Sequence, residues 1–252
     1  MYKRQPQFYY YTGYGSPLIY ARPLDLVAQR AGWSASDGLK GKRILDFGYG
    51  LIGHLRLLAL RGADVTGMEV EPMLRALYSE PGDTGRIDGG EGTSGNLRVL
   101  HGRWPAEEFV TTAAAEGGSY DLIISKNVLK RGYIHPARKV DERQLVKLGV
   151  DDETFVAKLH GALKPGGYAM IYNISPAQNA EDSGKPYLPH ADGECPFPRD
   201  MLEKAGLEVL EFDRPDTSTV LDVWIAMEIE PGKPRDELAK NLFAWYTLVR
   251  RK

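Results

Sequence analysis

ILDFGYGLIGH, residues 44–54, reads as a short apolar strand, a glycine turn and the start of a helix. The run RILDF stops at Gly48, as a strand buried in a sheet does. Apolar residues then follow a helical period over 51–60, and Gly62 ends it. Gly48 and Gly50 permit positive φ and bring backbone close to a ligand. Such a turn lies at the C-terminal edge of a strand, where the next helix offers N–H donors to a nucleotide-like ligand. A purely structural strand-to-helix turn looks the same, so a second feature is needed. Glu69 supplies one: it ends the next apolar run, about twenty residues on, where a carboxylate can accept both hydroxyls of a ribose. Glu71 lies beyond that run and faces the helix start.

Outward from this segment the alternation continues. DVTGMEV, 64–70, is a strand, and Pro72 opens a helix to about Tyr78. PGDTGRIDGGEGTSGN, 81–96, is polar and glycine-rich, which predicts a mobile surface insertion. LRVLH is a strand, 105–116 a helix, 120–125 a strand, 151–163 a helix and 168–174 a strand. FPRDMLEKAG then reads as a helix, LEVLEF as a strand, and VLDVWIAMEI, 220–229, as a last, longer strand. Residues 234–252 read as a helix, with Leu238, Leu242, Phe243 and Trp245 on its apolar face and Arg250, Arg251 and Lys252 against its C-terminal dipole. Regular alternation of strand and helix predicts a parallel sheet covered on both faces.

With 252 residues the chain suits one elaborated domain. Lys and Arg number 32 against 34 Asp and Glu, so no overall field draws nucleic acid or an anionic membrane. Cys195 is the one cysteine, which excludes an internal disulfide and points to a reducing, cytoplasmic setting. No apolar run is long enough to span a bilayer, and no signal-peptide core follows Lys3 and Arg4. FYYYTGYGSPLIYARP, 8–23, places Tyr9, Tyr10, Tyr11, Tyr14 and Tyr20 in an aromatic entry, followed by a short helix over 24–31. The entry is either an arm packed on the domain or a lid over a pocket, since tyrosine has a large apolar face and a polar tip.

LDFGYGLIG, GMEVEP, YDLIISKNVL and LKPGGYAMIY, in this order, resemble the class I S-adenosylmethionine-dependent methyltransferases, over residues 39–229. The resemblance implies an α/β fold: a doubly wound, mostly parallel sheet of seven strands with helices on both faces and an antiparallel last strand. It implies S-adenosylmethionine as cofactor and S-adenosylhomocysteine as product. Asp46, Gly48 and Gly50 would surround the methionine part, with Tyr49 and Gly53 in the same turn. Glu69 would hold the ribose and Val70 pack on the adenine. Ser125, Lys126 and Asn127 would line the cleft shared with the acceptor. The domain boundaries it suggests are an arm and helix over 1–38, the cofactor-binding domain over 39–230 and a C-terminal helix over 231–252. Two positions depart from the family. Ile52 stands where a third glycine is common, with Gly53 one place later. Arg103, in HGRWP, stands where an acid often meets the adenine amine, and a guanidinium cannot accept that hydrogen bond. Backbone groups and stacking on Trp104 are the expected substitutes.

The acceptor end is less legible. No Asn/Asp-Pro-Pro-aromatic tetrapeptide follows the fourth strand, which disfavours methylation of base or glutamine amino groups. SKNVLKRGYIHP stands there, clustering Lys126, Lys130, Arg131, Tyr133, His135 and Arg138. This is either a solvated basic loop or a pocket for an anionic or phenolic acceptor. His135 is the expected general base, because an imidazole titrates near neutrality; Tyr133 or Lys126 would position the acceptor. In-line transfer from a sulfonium needs positioning more than a base. His190, Asp192, Glu194 and Cys195 lie close together but match no metal-ligand spacing, so no metal is expected. The expectation is a methyltransferase for a small-molecule acceptor, with no membrane partner and none in nucleic acid. The alternatives are a protein or RNA methyltransferase, or a cofactor-binding protein of this fold without catalysis.

Overall fold

The computed structural model describes residues 17–34, 38–90 and 92–252. The tyrosine-rich entry before residue 17, with its proposed lid, lies outside the described residues. α1 (Pro17–Ala31) starts seven residues before the helix expected at 24 and carries Pro23 inside it. β1 (Arg43–Phe47), α2 (Gly53–Leu60), β2 (Asp64–Glu69) and α3 (Pro72–Leu77) follow as the sequence predicts. Next come β3 (Gly85–Gly90), β4 (Thr93–His101), α4 (Glu108–Ala115), β5 (Tyr120–Lys126) and the short α5 (Arg131–Ile134). The chain ends with α6 (Asp152–Ala162), β6 (Leu163–Ser175), α7 (Arg199–Lys204), β7 (Leu207–Pro215), α8 (Thr217–Ala226), α9 (Arg235–Leu238) and β8 (Phe243–Arg251).

The described strands form one eight-stranded sheet in the order β3-β4-β2-β1-β5-β6-β8-β7. β4, β2, β1, β5 and β6 run parallel, and β8 lies antiparallel between β6 and β7. Strand residues alternate between two cores, as a pleat requires. Ile44, Leu122, Ile124, Met170 and Tyr172 join one core with α1, α2 and α8. Leu45, Ile123, Ala169 and Ile171 join the other with α4, α6 and α7. The chain steps from β1 out to β2 and β4, then returns to β5 on the other side of β1. A crevice opens where the order reverses, beyond the C-terminal ends of β1 and β5.

Three expectations are corrected. Residues 220–229 are not a strand, because Val220, Leu221 and Trp224 bury one helical face in α8 while Ile225 stays exposed. Residues 234–252 are not a helix, because FAWYTLV is rich in aromatic and β-branched residues and fills the gap between β6 and β7. The sheet domain therefore runs to residue 251, and Arg250 pairs with Glu208 across the β7–β8 ladder instead of capping a helix. The glycine-rich segment forms the β3–β4 hairpin, which adds an eighth strand to the seven expected. Two of its glycines serve close approach: a Cβ on Gly89 would lie 2.0 Å from the Leu60 carbonyl oxygen, and one on Gly95 2.2 Å from that of Ala63.

Candidate functional site

The turn after β1 builds the floor of the crevice. Gly48 has φ +77°, and a Cβ there would sit 2.5 Å from Val128 Cγ2. Gly48→Val is therefore expected to weaken cofactor binding at least tenfold and to lower thermal stability, by strain in the turn and by pushing Val128 aside. Calorimetric titration together with a melting curve checks this; unchanged affinity would show that the turn does not touch the ligand. Asp46, at the end of β1, is buried, with 1% of its surface exposed. Its Oδ2 accepts the Tyr20 hydroxyl at 2.6 Å and pairs with His54 Nε2 at 2.7 Å. The two rings stack, with centroids 4.0 Å apart. Burial, and then the Asp46 charge, push the Tyr20 phenol well above its ordinary range, so it stays a donor.

Glu69 closes the end of β2. Its Oε1 accepts the Val70 and Glu71 N–H groups at 2.7 and 3.1 Å, and its Oε2 accepts the Gly50 N–H at 3.3 Å. Backbone donors thus hold the carboxylate at the crevice. It stands between two cavities that also share Gly48 and Val128. The inner one, about 480 Å³, is lined by Asp46, Tyr49, His54, Lys126, Tyr133 and His190, among others. The outer one, about 330 Å³, is lined by Val70, Gly102, Arg103 and Trp104, with Leu145 and Leu148 opposite.

Most of the residues expected from the sequence meet here. Asp46, Gly48, Tyr49, Gly50, Glu69, Lys126, Asn127 and Tyr133 line the inner cavity; Val70, Arg103 and Trp104 line the outer one. Trp104 is 3% exposed and packs edge-on against Phe47 and Phe155, so its ring is shared with the core. Asn127, at φ +63°, uses its Oδ1 to accept the Ile174 N–H at 2.7 Å, so its side chain braces the β5 turn against β6.

Three residues fall outside. Gly53 opens α2 and lines neither cavity. Ser125 is buried and accepts the Leu129 N–H through Oγ at 3.2 Å. His135 is the main correction: α5 turns it away from the crevice, and its Nε2 pairs with Asp152 at 2.7 Å on an exposed face. Its imidazole lines neither the inner nor the outer cavity.

Lys126 is half-buried, and loss of water pushes its amine down to about 8 despite the Asp46 charge. Lys130 is buried and pushed down to about 7, yet its Nζ donates to Ile174 O, Ser175 Oγ and His190 O at 2.6, 3.1 and 2.9 Å. Three acceptors favour the ammonium form, so Lys130 ties the end of β6 to the His190 loop. Asp192 and Glu194 pair with Arg131, and burial pushes the Cys195 thiol up to about 12. Among the described residues no cluster of His, Cys, Asp and Glu is arranged to hold a metal.

Sequence reasoning missed Tyr20 and His54 as neighbours of Asp46. His54 was visible, since the quoted turn ends on it, eight residues after Asp46. Tyr20 had no local signal, because α1 is 26 residues away in sequence.

No protein-family model and no curated protein matches this sequence. Solved structures do match in fold. Phosphoethanolamine N-methyltransferase 2 of Haemonchus contortus, in complex with S-adenosyl-L-methionine, is 14% identical with a TM-score of 0.52, over 97% of this chain and 56% of that one. The same protein in complex with phosphomonomethylethanolamine and S-adenosylhomocysteine gives 14% identity and a TM-score of 0.51 over the same shares. This chain thus spans little more than half of that protein's length. An S-adenosylmethionine-dependent methyltransferase from Mesorhizobium loti is 16% identical with a TM-score of 0.47, over 89% of this chain and 96% of that one. The fold is that of the class I S-adenosylmethionine-dependent methyltransferases.

Proposed function

We propose that this chain is an S-adenosylmethionine-dependent methyltransferase acting on a small-molecule acceptor. The observation that carries the proposal is Glu69, a backbone-held carboxylate between two cavities, beside the glycine turn at the sheet's switch point. A ribose fits against it, with the adenine in the outer cavity and the amino acid portion in the inner one. Open space over Gly50, where a Cβ would meet nothing within 4 Å, supports binding of that group against the turn. The Haemonchus protein, of the same fold, binds this cofactor and a small amine, which supports a small acceptor here.

When bound, the cofactor would supply an electrophilic methyl carbon on a sulfonium, to which the acceptor's lone pair would bond in line as the S–CH3 bond breaks and the thioether leaves. The residues of the chain do the rest. Asp46 stands fixed by Tyr20 and His54 at the amino acid end. Apolar walls from Tyr49, Val128 and Pro176 exclude water. Lys126 and Tyr133 face the acceptor end, and Lys126 takes the place expected of His135 as proton acceptor.

The test has two stages. S-adenosylhomocysteine is expected to raise the melting temperature, because a ligand bound only by the native state stabilises it by mass action, and NAD is not. No shift at saturation overturns the proposal. Methyl transfer to pooled metabolites should then rise about tenfold per pH unit up to about pH 8 and level off, as the Lys126 amine loses its proton. Lys126→Met should remove that slope, whereas His135→Ala should leave rate and slope unchanged. A slope that survives in Lys126→Met places the base elsewhere.

A further inference from the structure

A third cavity opens beside the inner one, and His190 lines both. Its other walls include Arg138, Lys139 and Lys185, with Tyr187 between them. The Arg138 guanidinium lies over the Tyr187 ring, 5.6 Å from its centroid, and its NH2 group donates to the Asn179 carbonyl at 3.4 Å. Tyr187 is in turn held by Asp192, through its hydroxyl at 2.9 Å. Arg138 is therefore preset, not a loose surface side chain. Lys139 and Lys185 are exposed. None of these three cations forms an ion pair among the described residues. The carboxylate in this wall, Asp141, is already engaged by Arg143.

Three like charges around one concavity repel one another, and an anion there relieves the repulsion. A planar fork fixed by stacking, flanked by two ammonium groups, suits a tetrahedral dianion with several acceptor oxygens. Arg131 nearby is neutralised by Asp192 and Glu194, and the whole chain carries a formal charge of −2. The positive field is thus local, the size of a small ligand rather than of a nucleic acid track. Lys130 holds the His190 carbonyl at 2.9 Å, which fixes the wall shared by the two cavities.

We infer that this groove is an anion subsite for a phosphate-type group carried by the methyl acceptor, whose reacting end reaches past His190 into the inner cavity. The inference rests on the methyltransferase proposal for the acceptor's identity as a methyl acceptor, but the anion site itself does not.

The probe is inorganic phosphate, followed by ³¹P NMR on the full chain saturated with S-adenosylhomocysteine. Saturable binding is expected, weakened at least tenfold in Lys139→Glu/Lys185→Glu, with S-adenosylhomocysteine affinity unchanged within twofold. In a pool of small amines and phenols with their O-phosphate esters, labelled methyl should appear in the esters and be lost in the double variant. Absent phosphate binding, or equal binding by the variant, overturns the inference while intact S-adenosylhomocysteine binding leaves the proposed function standing. Label confined to the unphosphorylated compounds overturns it as well. So does tight, salt-sensitive binding of a single-stranded RNA, or retention on phosphatidic acid vesicles, competed by phosphate. Failure of S-adenosylhomocysteine to bind, with phosphate still bound, removes the methyltransferase proposal and the acceptor assignment but not the anion site.

Discussion

Arg22→Met is expected to destabilise the fold by roughly 3 kcal/mol, the lower end of what breaking a buried ion pair costs. Arg22 Nε and NH2 donate to the two carboxylate oxygens of Asp216 at 2.8 and 2.7 Å, and the Tyr172 hydroxyl donates to Asp216 at 2.7 Å. Asp216 is 8% exposed, so methionine leaves a buried carboxylate with one remaining side-chain donor. About a quarter of the Arg22 side chain reaches solvent, which screens its end of the pair and sets the lower figure. The effect is large because the pair joins distant parts of the chain: α1 is bolted to the start of α8. Urea unfolding followed by circular dichroism checks it. Adding Asp216→Asn to Arg22→Met should recover more than half of the loss. A double variant as unstable as the single one would assign the cost to packing of the arginine stem instead.

Glu69→Ala is expected to weaken S-adenosylhomocysteine by roughly 1–3 kcal/mol, a factor of about 5 to 150, through loss of charged hydrogen bonds to the ribose. Three backbone N–H groups already orient the carboxylate, so wild type spends little ordering it on binding. Glu69→Gln should fall between, keeping the shape and losing the charge. Asp64→Ala, at the other end of β2, removes an ion pair with Arg43 and should lower stability while sparing affinity. Equal loss of affinity in Glu69→Ala and Asp64→Ala, by isothermal titration, would mean general destabilisation and sink the ribose assignment.

The segments read correctly from the sequence are those whose physics is local. A β-strand ending on Gly48, a helix stopped by Gly62 and a carboxylate at the end of β2 each depend on neighbours within a few residues. The segments misread depend on partners far away. Residues 220–229 and 243–251 are both apolar runs, and periodicity alone does not tell a helix pressed on a sheet from a strand buried inside it. Their places were decided by the slot between β6 and β7, which suits FAWYTLV. Composition alone makes the glycines of 81–96 read as mobile, because it does not show that two of them face carbonyl oxygens of Leu60 and Ala63. His135 failed for a similar reason. An imidazole is a candidate base wherever it stands in a sequence, but only the turn of α5 shows that His135 faces Asp152. Lys126, at the end of β5, lost water and lines the crevice.

The two rims of the sheet have a bearing on how copies of this chain meet. β3 breaks register between Asp88 and Gly90, and carries the exposed pair Arg86 and Asp88 outward. β7 breaks register twice, between Val209 and Glu211 and between Glu211 and Arg214. A flat, regular edge is a template on which another polypeptide can add a strand, and bulges and charges spoil the template. Both rims of the eight strands found among the described residues are spoiled in this way. Self-association by edge-to-edge strand addition, the route to fibrous aggregates, is disfavoured at both described rims.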